Sequence, residues 1–186
     1  MTTEGAANIP LDGLELGLDT FGDVSVDLDG NVVPYGQVIR NVVEQGVLAD
    51  SLGVDFFGVG EHHRDDYAVS APDVLLAGLA GRTEHIRLGT SVTVLSSDDP
   101  IRGFQRFSTV DAISRGRAEI TVGRGSFVES FPLFGLDLGD YETLFAVKLD
   151  LLAAVVAEQP VRREGSIRPP LQVEKVMPAT ASRHLP

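Results

Sequence analysis

Val54-Asp55-Phe56-Phe57-Gly58-Val59-Gly60-Glu61-His62-His63-Arg64 is the stretch whose reading decides the fold. Val54, Phe56, Phe57 and Val59 are β-branched or aromatic, and Gly53 and Gly60 bracket them. A short run that is apolar on both faces suits a strand of a parallel sheet covered on both sides. An acid, two imidazoles and a guanidinium follow at once. In β/α folds the chemistry sits at the carboxyl ends of the strands. The segment therefore reads as a core strand that delivers an acid, Glu61, and two imidazoles, His62 and His63, to a site.

The rest of the chain frames it. Leu14 to Leu18 reads as a first strand, and Val24 to Pro34 as a polar loop. Tyr35 to Leu52 has the apolar spacing of an amphipathic helix. Ser70-Ala71-Pro72-Asp73 is a helix-start signature, with Ser70 as the expected cap. Ile86 to Leu95 reads as a third strand. Asp99-Pro100 opens a further helix, which Gly116 is expected to end. Ala118 to Val122 reads as a fourth strand. Asp140 is expected to cap a helix from Tyr141 to about Ala157. Four strand–helix alternations imply a parallel sheet with right-handed crossovers. By themselves they fit either an open doubly wound sheet or half of an eight-stranded barrel. A flexible N-terminus (1–13), a β/α domain (14–158) and an irregular Pro-rich tail (159–186) are the expected divisions. A short hairpin is expected around Val161 to Ile167.

Composition narrows the function classes. The chain has 186 residues, no cysteine and a formal net charge of -12. That charge repels nucleic-acid backbones and anionic membranes, so neither is an expected partner. Without cysteine there is no disulfide or thiolate chemistry, and a cytoplasmic setting is expected. No apolar run approaches the ~18 residues that span a bilayer. Residues 1–13 lack the basic and apolar parts of a secretory signal.

Strand ends from parallel neighbours converge on one face. Asp19 and Thr20, Glu61 to Arg64, Thr90 and Ser91, and Arg124 and Ser126 all fall there. A histidine acts as acid or base near neutral pH. An arginine between two glycines grips a phosphate while the glycines let the ligand reach the backbone. Each feature also has a plainer reading. Paired histidines can be loop residues bonded to backbone, and Gly123-Arg124-Gly125 can be a tight turn with a solvated arginine. Glu61-His62-His63 lacks the helical spacing of a zinc site, so no metal is expected. Gly58-Val59-Gly60 lacks the third glycine of a dinucleotide fingerprint. No Gly-x-Ser-x-Gly follows a strand, so an open-sheet hydrolase, a weaker third reading, lacks its nucleophile elbow.

The order Gly58-Val-Gly-Glu-His-His63, then Ala80-Gly-Arg-Thr-Glu-His-Ile-Arg-Leu-Gly-Thr90, Asp111-Ala-Ile-Ser-Arg-Gly-Arg-Ala-Glu119 and Val122-Gly-Arg-Gly-Ser126 resembles the bacterial luciferase-like flavin monooxygenases. The resemblance covers about Leu14 to Leu171, whereas Gln172 to Pro186 departs from the pattern. It implies an α/β fold of the (β/α)8 TIM-barrel type, with only the first four units present: a half barrel, read from a truncated or frame-shifted form of a longer protein. It implies reduced FMN, or alternatively a deazaflavin, used with oxygen on a small-molecule substrate. His62 falls at the catalytic acid/base position. Glu61, Thr90, Ser91 and Val92 fall beside the flavin ring, with a cis peptide at Ser91–Val92. Arg124 and Gly125 fall at the cofactor phosphate. A flavin reductase and a homo-oligomer are the implied partners. The alternative is a non-catalytic luciferase-like subunit that only associates with other chains.

Overall fold

A computed structural model describes residues 13–165, 168–182 and 185–186. The expected flexible segment lies almost wholly outside the described residues. The elements run β1 (Gly17–Thr20), α1 (Tyr35–Ser51), β2 (Phe56–Val59), α2 (Pro72–Ala80), β3 (Arg87–Thr90), β4 (Thr93–Val94), α3 (Pro100–Ser114), β5 (Ala118–Glu119), β6 (Val122–Gly123), α4 (Ser130–Leu133), α5 (Tyr141–Val156), β7 (Val161–Arg163) and β8 (Leu171–Glu174). Strands β1, β2, β3 and β5 form one parallel sheet in that order. Each crossover carries a helix, and consecutive helices α1, α2, α3 and α5 pack in line over the sheet. The fold is α/β with a parallel sheet.

The period of two sorts the strand residues onto two faces. Phe57, Val59, Leu88 and Ala118 point toward the helices and are buried. There they meet Val42, Leu76, Leu79, Phe104, Phe107, Val110, Leu152 and Val155 in one core. The other face carries Gly17, Phe56 and Arg87 in one row and Asp19, Gly58, Gly89 and Glu119 in the next. Phe56 fills the space that the glycines leave. A Cβ on Gly89 would come within 2.7 Å of its ring, and one on Gly58 within 3.0 Å.

Several expectations are refined. The third and fourth strands each break in two, so that β4 and β6 form a separate parallel pair. Thr93 N donates to Thr121 O and Leu95 N to Gly123 O, each at 2.9 Å, across that pair. Ser70 does not cap α2: Ala71 stands at the cap with no side-chain hydrogen bond, and Pro72 supplies the first turn. Asp99 does cap α3, accepting from Ile101 N and Arg102 N. That helix stops on Arg115, at φ 61°, with Gly116 next. Asp140 holds the cap position of α5 without a side-chain bond. The hairpin exists, but its second arm is Leu171–Glu174, and Ile167 lies outside the described residues. Beyond it the chain returns to the domain. Thr180 N donates to Glu158 Oε1 and Ser182 N to Asp111 Oδ2, both at 2.9 Å. Ile120 N donates to Pro186 O at 3.0 Å. Among the described residues, no helix is long and apolar enough to cross a membrane.

Two polar bolts join helix to strand. Arg117 donates to Ile86 O at 2.6 Å, to Thr83 O at 2.8 Å and to Ser114 O at 2.9 Å. Asp50, near the end of α1, accepts from the amides of Glu84, His85 and Ile86 at 2.8–2.9 Å. Burial pushes the Asp50 carboxyl up, but the three amide bonds outweigh it and hold the group below the ordinary aspartate value. The Asp50→Ala variant strands those amides. Allowing for solvent screening at a partly exposed site, about 1–2 kcal/mol of stability is expected to be lost in urea unfolding. The folded carboxyl binds its proton more weakly than the unfolded one. Its contribution is therefore complete above the ordinary aspartate pKa and drains away as pH falls through the lower folded value. Wild type should lose its advantage over Asp50→Ala below about pH 4.

Candidate functional site

The carboxyl ends of β2, β3 and the β4–β6 pair open into one cleft of about 520 Å³. Strand β2 continues past Val59 because Gly60 N donates to Thr20 O and Ser91 N to Val59 O, both at 2.9 Å. Glu61 leaves the strand with both carboxylate oxygens used. One accepts from His63 Nε2 at 2.8 Å and the other from Val94 N at 2.9 Å. Their side chains are only 11% and 9% exposed, so Glu61 and His63 form a shielded brace between two strand ends.

His62 is anchored through its backbone, where its N–H donates to Val69 O at 2.9 Å. Its ring stacks on Tyr67, with centroids 4.0 Å apart and planes 18° apart. Phe21 meets it edge-on at 5.2 Å and Phe127 tilts against it at 5.6 Å. Its Nδ1 is buried and has no hydrogen-bond partner. Burial in this aromatic cage lowers the imidazole pKa, against the opposing pull of Asp23, Asp66 and Glu61. The lowered pKa favours the neutral ring near pH 7, with one ring nitrogen that no protein group engages.

Ser91 and Val92, joined by a cis peptide, also line the cleft. Below them the backbone of Gly123 and Gly125 lies close. A Cβ at Gly123 would meet Val92 at 2.6 Å and one at Gly125 would meet Val94 at 2.9 Å, and Gly125 has φ +81°. Arg124 stands between them at the rim. Its Nη1 bonds both oxygens of Glu142, at 2.6 and 2.7 Å. Tyr141, which opens α5, donates its hydroxyl to Gly125 O at 2.8 Å.

The structure brings Glu61, His62, Ser91, Val92, Arg124 and Gly125 to one cleft. Thr90 is not with them. It is 1% exposed, on the helix side of the sheet, and its hydroxyl donates to Thr121 O at 2.9 Å. The cause is the alternation of the strand, which turns Thr90 away from the face that Gly89 occupies. Sequence reasoning missed Phe21, Tyr67 and Phe127, which shield His62. Tyr67 and Phe21 come from loops whose path no periodicity reveals. Phe127 follows Gly-Arg-Gly-Ser directly, and that adjacency was the available signal. Glu142 was also missed, because a helix-start acid looks like an ordinary first-turn charge. Together the cleft holds a neutral shielded imidazole, a braced carboxylate, a backbone floor and a rim guanidinium. That set can bind a flat polar ring with an acidic tail and move one proton.

Comparisons with known proteins give the family and the fold of the chain. The alkanal monooxygenase alpha chain of the Kryptophanaron alfredi symbiont is 28% identical over 139 residues, which cover 74% of this chain and 39% of the relative. The monooxygenase RslO1 of Streptomyces bottropensis has the same fold, with a TM-score of 0.81 at 23% identity over 93% of this chain and 52% of that one. The oxygenating constituent of 3,6-diketocamphane monooxygenase from the CAM plasmid of Pseudomonas putida, a type II Baeyer-Villiger monooxygenase solved in complex with FMN, gives 0.72 at 19% identity, covering 82% of this chain and 42% of that one. The chain thus spans about two fifths to a half of the length of these proteins. A family model for luciferase-like monooxygenases matches residues 16–186, running on through Gln172 to Pro186, the stretch that the motifs left apart. The chain belongs to the luciferase-like monooxygenase family.

Proposed function

We propose that this chain forms the flavin-binding part of an oxidoreductase that uses reduced FMN and dioxygen on a small organic substrate. The observation that carries the reading is the single cleft uniting Glu61, His62, Ser91, Val92, Arg124 and Gly125 at the carboxyl rim of a parallel sheet. The sheet is read as the first four strands of an eight-stranded barrel, with residues 14–158 as its β/α part and 159–186 as a distinct tail. The residues fit a flavin. The cleft has the size of a small-molecule site, its floor is backbone at Gly123 and Gly125, and a buried imidazole nitrogen waits without a partner. The diketocamphane enzyme binds FMN, whereas other proteins of like fold are F420-dependent, so FMN is the reading and a deazaflavin its alternative.

When bound, reduced flavin supplies the electrons that activate dioxygen. The protein supplies position and protons. Ser91 and Val92 present a wall for the face of the ring. Glu61, fixed by His63 and the Val94 amide, sets a polar edge. The φ of Gly125 lets the backbone approach, and Arg124 stands on the phosphate side. Phe21, Tyr67 and Phe127 keep water from His62, whose neutral ring takes a proton at its free nitrogen and returns it later. A separate reductase supplies reduced flavin in this reading. A homo-oligomer is part of this reading. The lack of cysteine supports a cytoplasmic setting.

Titration with oxidised FMN should quench its fluorescence. Gly125→Val, which demands a left-handed backbone and a contact with Val94, should abolish the quenching while circular dichroism is unchanged. A folded, self-associated chain with no FMN uptake would sink the reading and leave only an associating subunit. His62→Ala should keep FMN affinity within about threefold and cost roughly 10²–10⁴ in turnover.

The protonation of His62 gives a separate check. In NMR, its ring should titrate below the ordinary ~6.5, and Tyr67→Ala should raise the midpoint by wetting the ring. Activity that needs the neutral ring falls as pH drops through that lowered value. A midpoint at or above that of free histidine would remove the shielded-base argument.

A further inference from the structure

We infer that Glu142 sets the specificity of this cleft for the tail of its cofactor, by occupying the anion position of Arg124 before any phosphate arrives. The inference rests on the flavin reading above and deepens it. Among the described residues lining the cleft, Arg124 is the one guanidinium, and two lining carboxylates, Glu61 and Glu129, face it in number. Its Nη1 is already shared by both oxygens of Glu142, at 2.6 and 2.7 Å. The Arg124 side chain is 47% exposed and that of Glu142 74%. Such a pair is weak and exchangeable. It is also permanently local, because the two groups are tied through the structure. Tyr141, the neighbour of Glu142, holds the Gly125 carbonyl at 2.8 Å, so the start of α5 cannot drift from the Gly-Arg-Gly turn. The rings of Tyr141 and Phe145 lie 5.9 and 5.8 Å from the guanidinium carbon and flank it at the rim.

A phosphate reaching Arg124 must therefore share the guanidinium with a tethered carboxylate and remain beside it as a like charge. A neutral, hydroxyl-bearing tail meets neither cost. The second guanidinium near the cleft gives no relief, since Arg64 is bonded to Asp66 at 2.9 Å and to Glu129 at 3.0 Å. The chain as it stands thus discriminates weakly between a phosphorylated and an unphosphorylated flavin. Removing the Glu142 charge turns Arg124 into a free phosphate site.

The test compares FMN and riboflavin binding, by fluorescence quenching, in wild type, Glu142→Gln and the Glu142→Gln/Arg124→Ala double variant. The expected result is a preference for FMN over riboflavin at least fivefold greater in Glu142→Gln than in wild type, and restored to the wild-type ratio in the double variant. An unchanged ratio in Glu142→Gln, or an increase that survives loss of Arg124, overturns the inference. A second arm is independent of flavin: inorganic phosphate is titrated while the Arg124 Nε–Hε resonance is followed by NMR. Saturable shifts at millimolar phosphate in Glu142→Gln and not in wild type uphold the inference even if neither flavin binds, which would count against the flavin reading alone. Equal shifts in both proteins reject it.

Discussion

The Glu61 carboxylate is the contact on which the cleft depends. It leaves the end of β2, takes the Val94 amide of the neighbouring break with one oxygen, and holds His63 with the other. Two strand ends are thereby fixed at hydrogen-bond precision. His62, between these two residues in sequence, is left to turn the other way, into Phe21, Tyr67 and Phe127. One carboxylate thus divides two adjacent histidines into different jobs. His63 is spent on structure, and His62 keeps an unbonded nitrogen. A buried polar atom left without a partner is costly in a plain structural role. Other buried atoms, Ser96 Oγ and Ser108 Oγ among them, share that lack, and what singles out Nδ1 is that His62 lines the cleft.

The sheet was legible from the sequence for a simple reason. Parallel strands buried on both faces appear as continuous apolar runs, and helices between them show the 3.6-residue stripe. Phe56 to Val59 and Tyr35 to Ser51 follow those rules closely. The misses occur where periodicity carries no information. Ser70 looked like a cap, but Pro72 already starts the helix without a donor to satisfy. Ile86 to Leu95 looked like one strand, and no apolar pattern marks the turn at Ser91–Val92 that splits it. Thr90 was grouped with Ser91 by adjacency, although neighbours on a strand face opposite ways. The aromatic cage was invisible because its three rings come from three separate loops.

Charge is arranged with unusual thrift in a chain of net charge -12. The two arginines at the cleft are each matched by carboxylates, Arg64 by Asp66 and Glu129 and Arg124 by Glu142, and Arg106 in the neighbouring pocket is matched by Asp73 and Asp98. Arg64 also lies 4.5 Å over the Phe127 ring, so the same guanidinium steadies one wall of the His62 cage. An anionic ligand entering here competes with fixed internal anions. Recognition must then come chiefly from shape and aromatic contact.

The two faces of the sheet explain how one small framework serves stability and chemistry without conflict. The helix-facing side is apolar apart from Thr90 and supplies the core. The opposite side is built from glycines around Phe56, with Arg87 reaching Glu15 at 2.6 Å and Glu119 at 2.8 Å. One large ring among glycines lets neighbouring strands curve, since no Cβ opposes the bend. That ion-paired row lies at the amino ends of the strands, while the cleft lies at their carboxyl ends. A strand residue can therefore be chosen for packing, for curvature or for reaction according to its parity and height. Gly58, Val59 and Glu61 show the three choices within four consecutive positions of one strand and its exit.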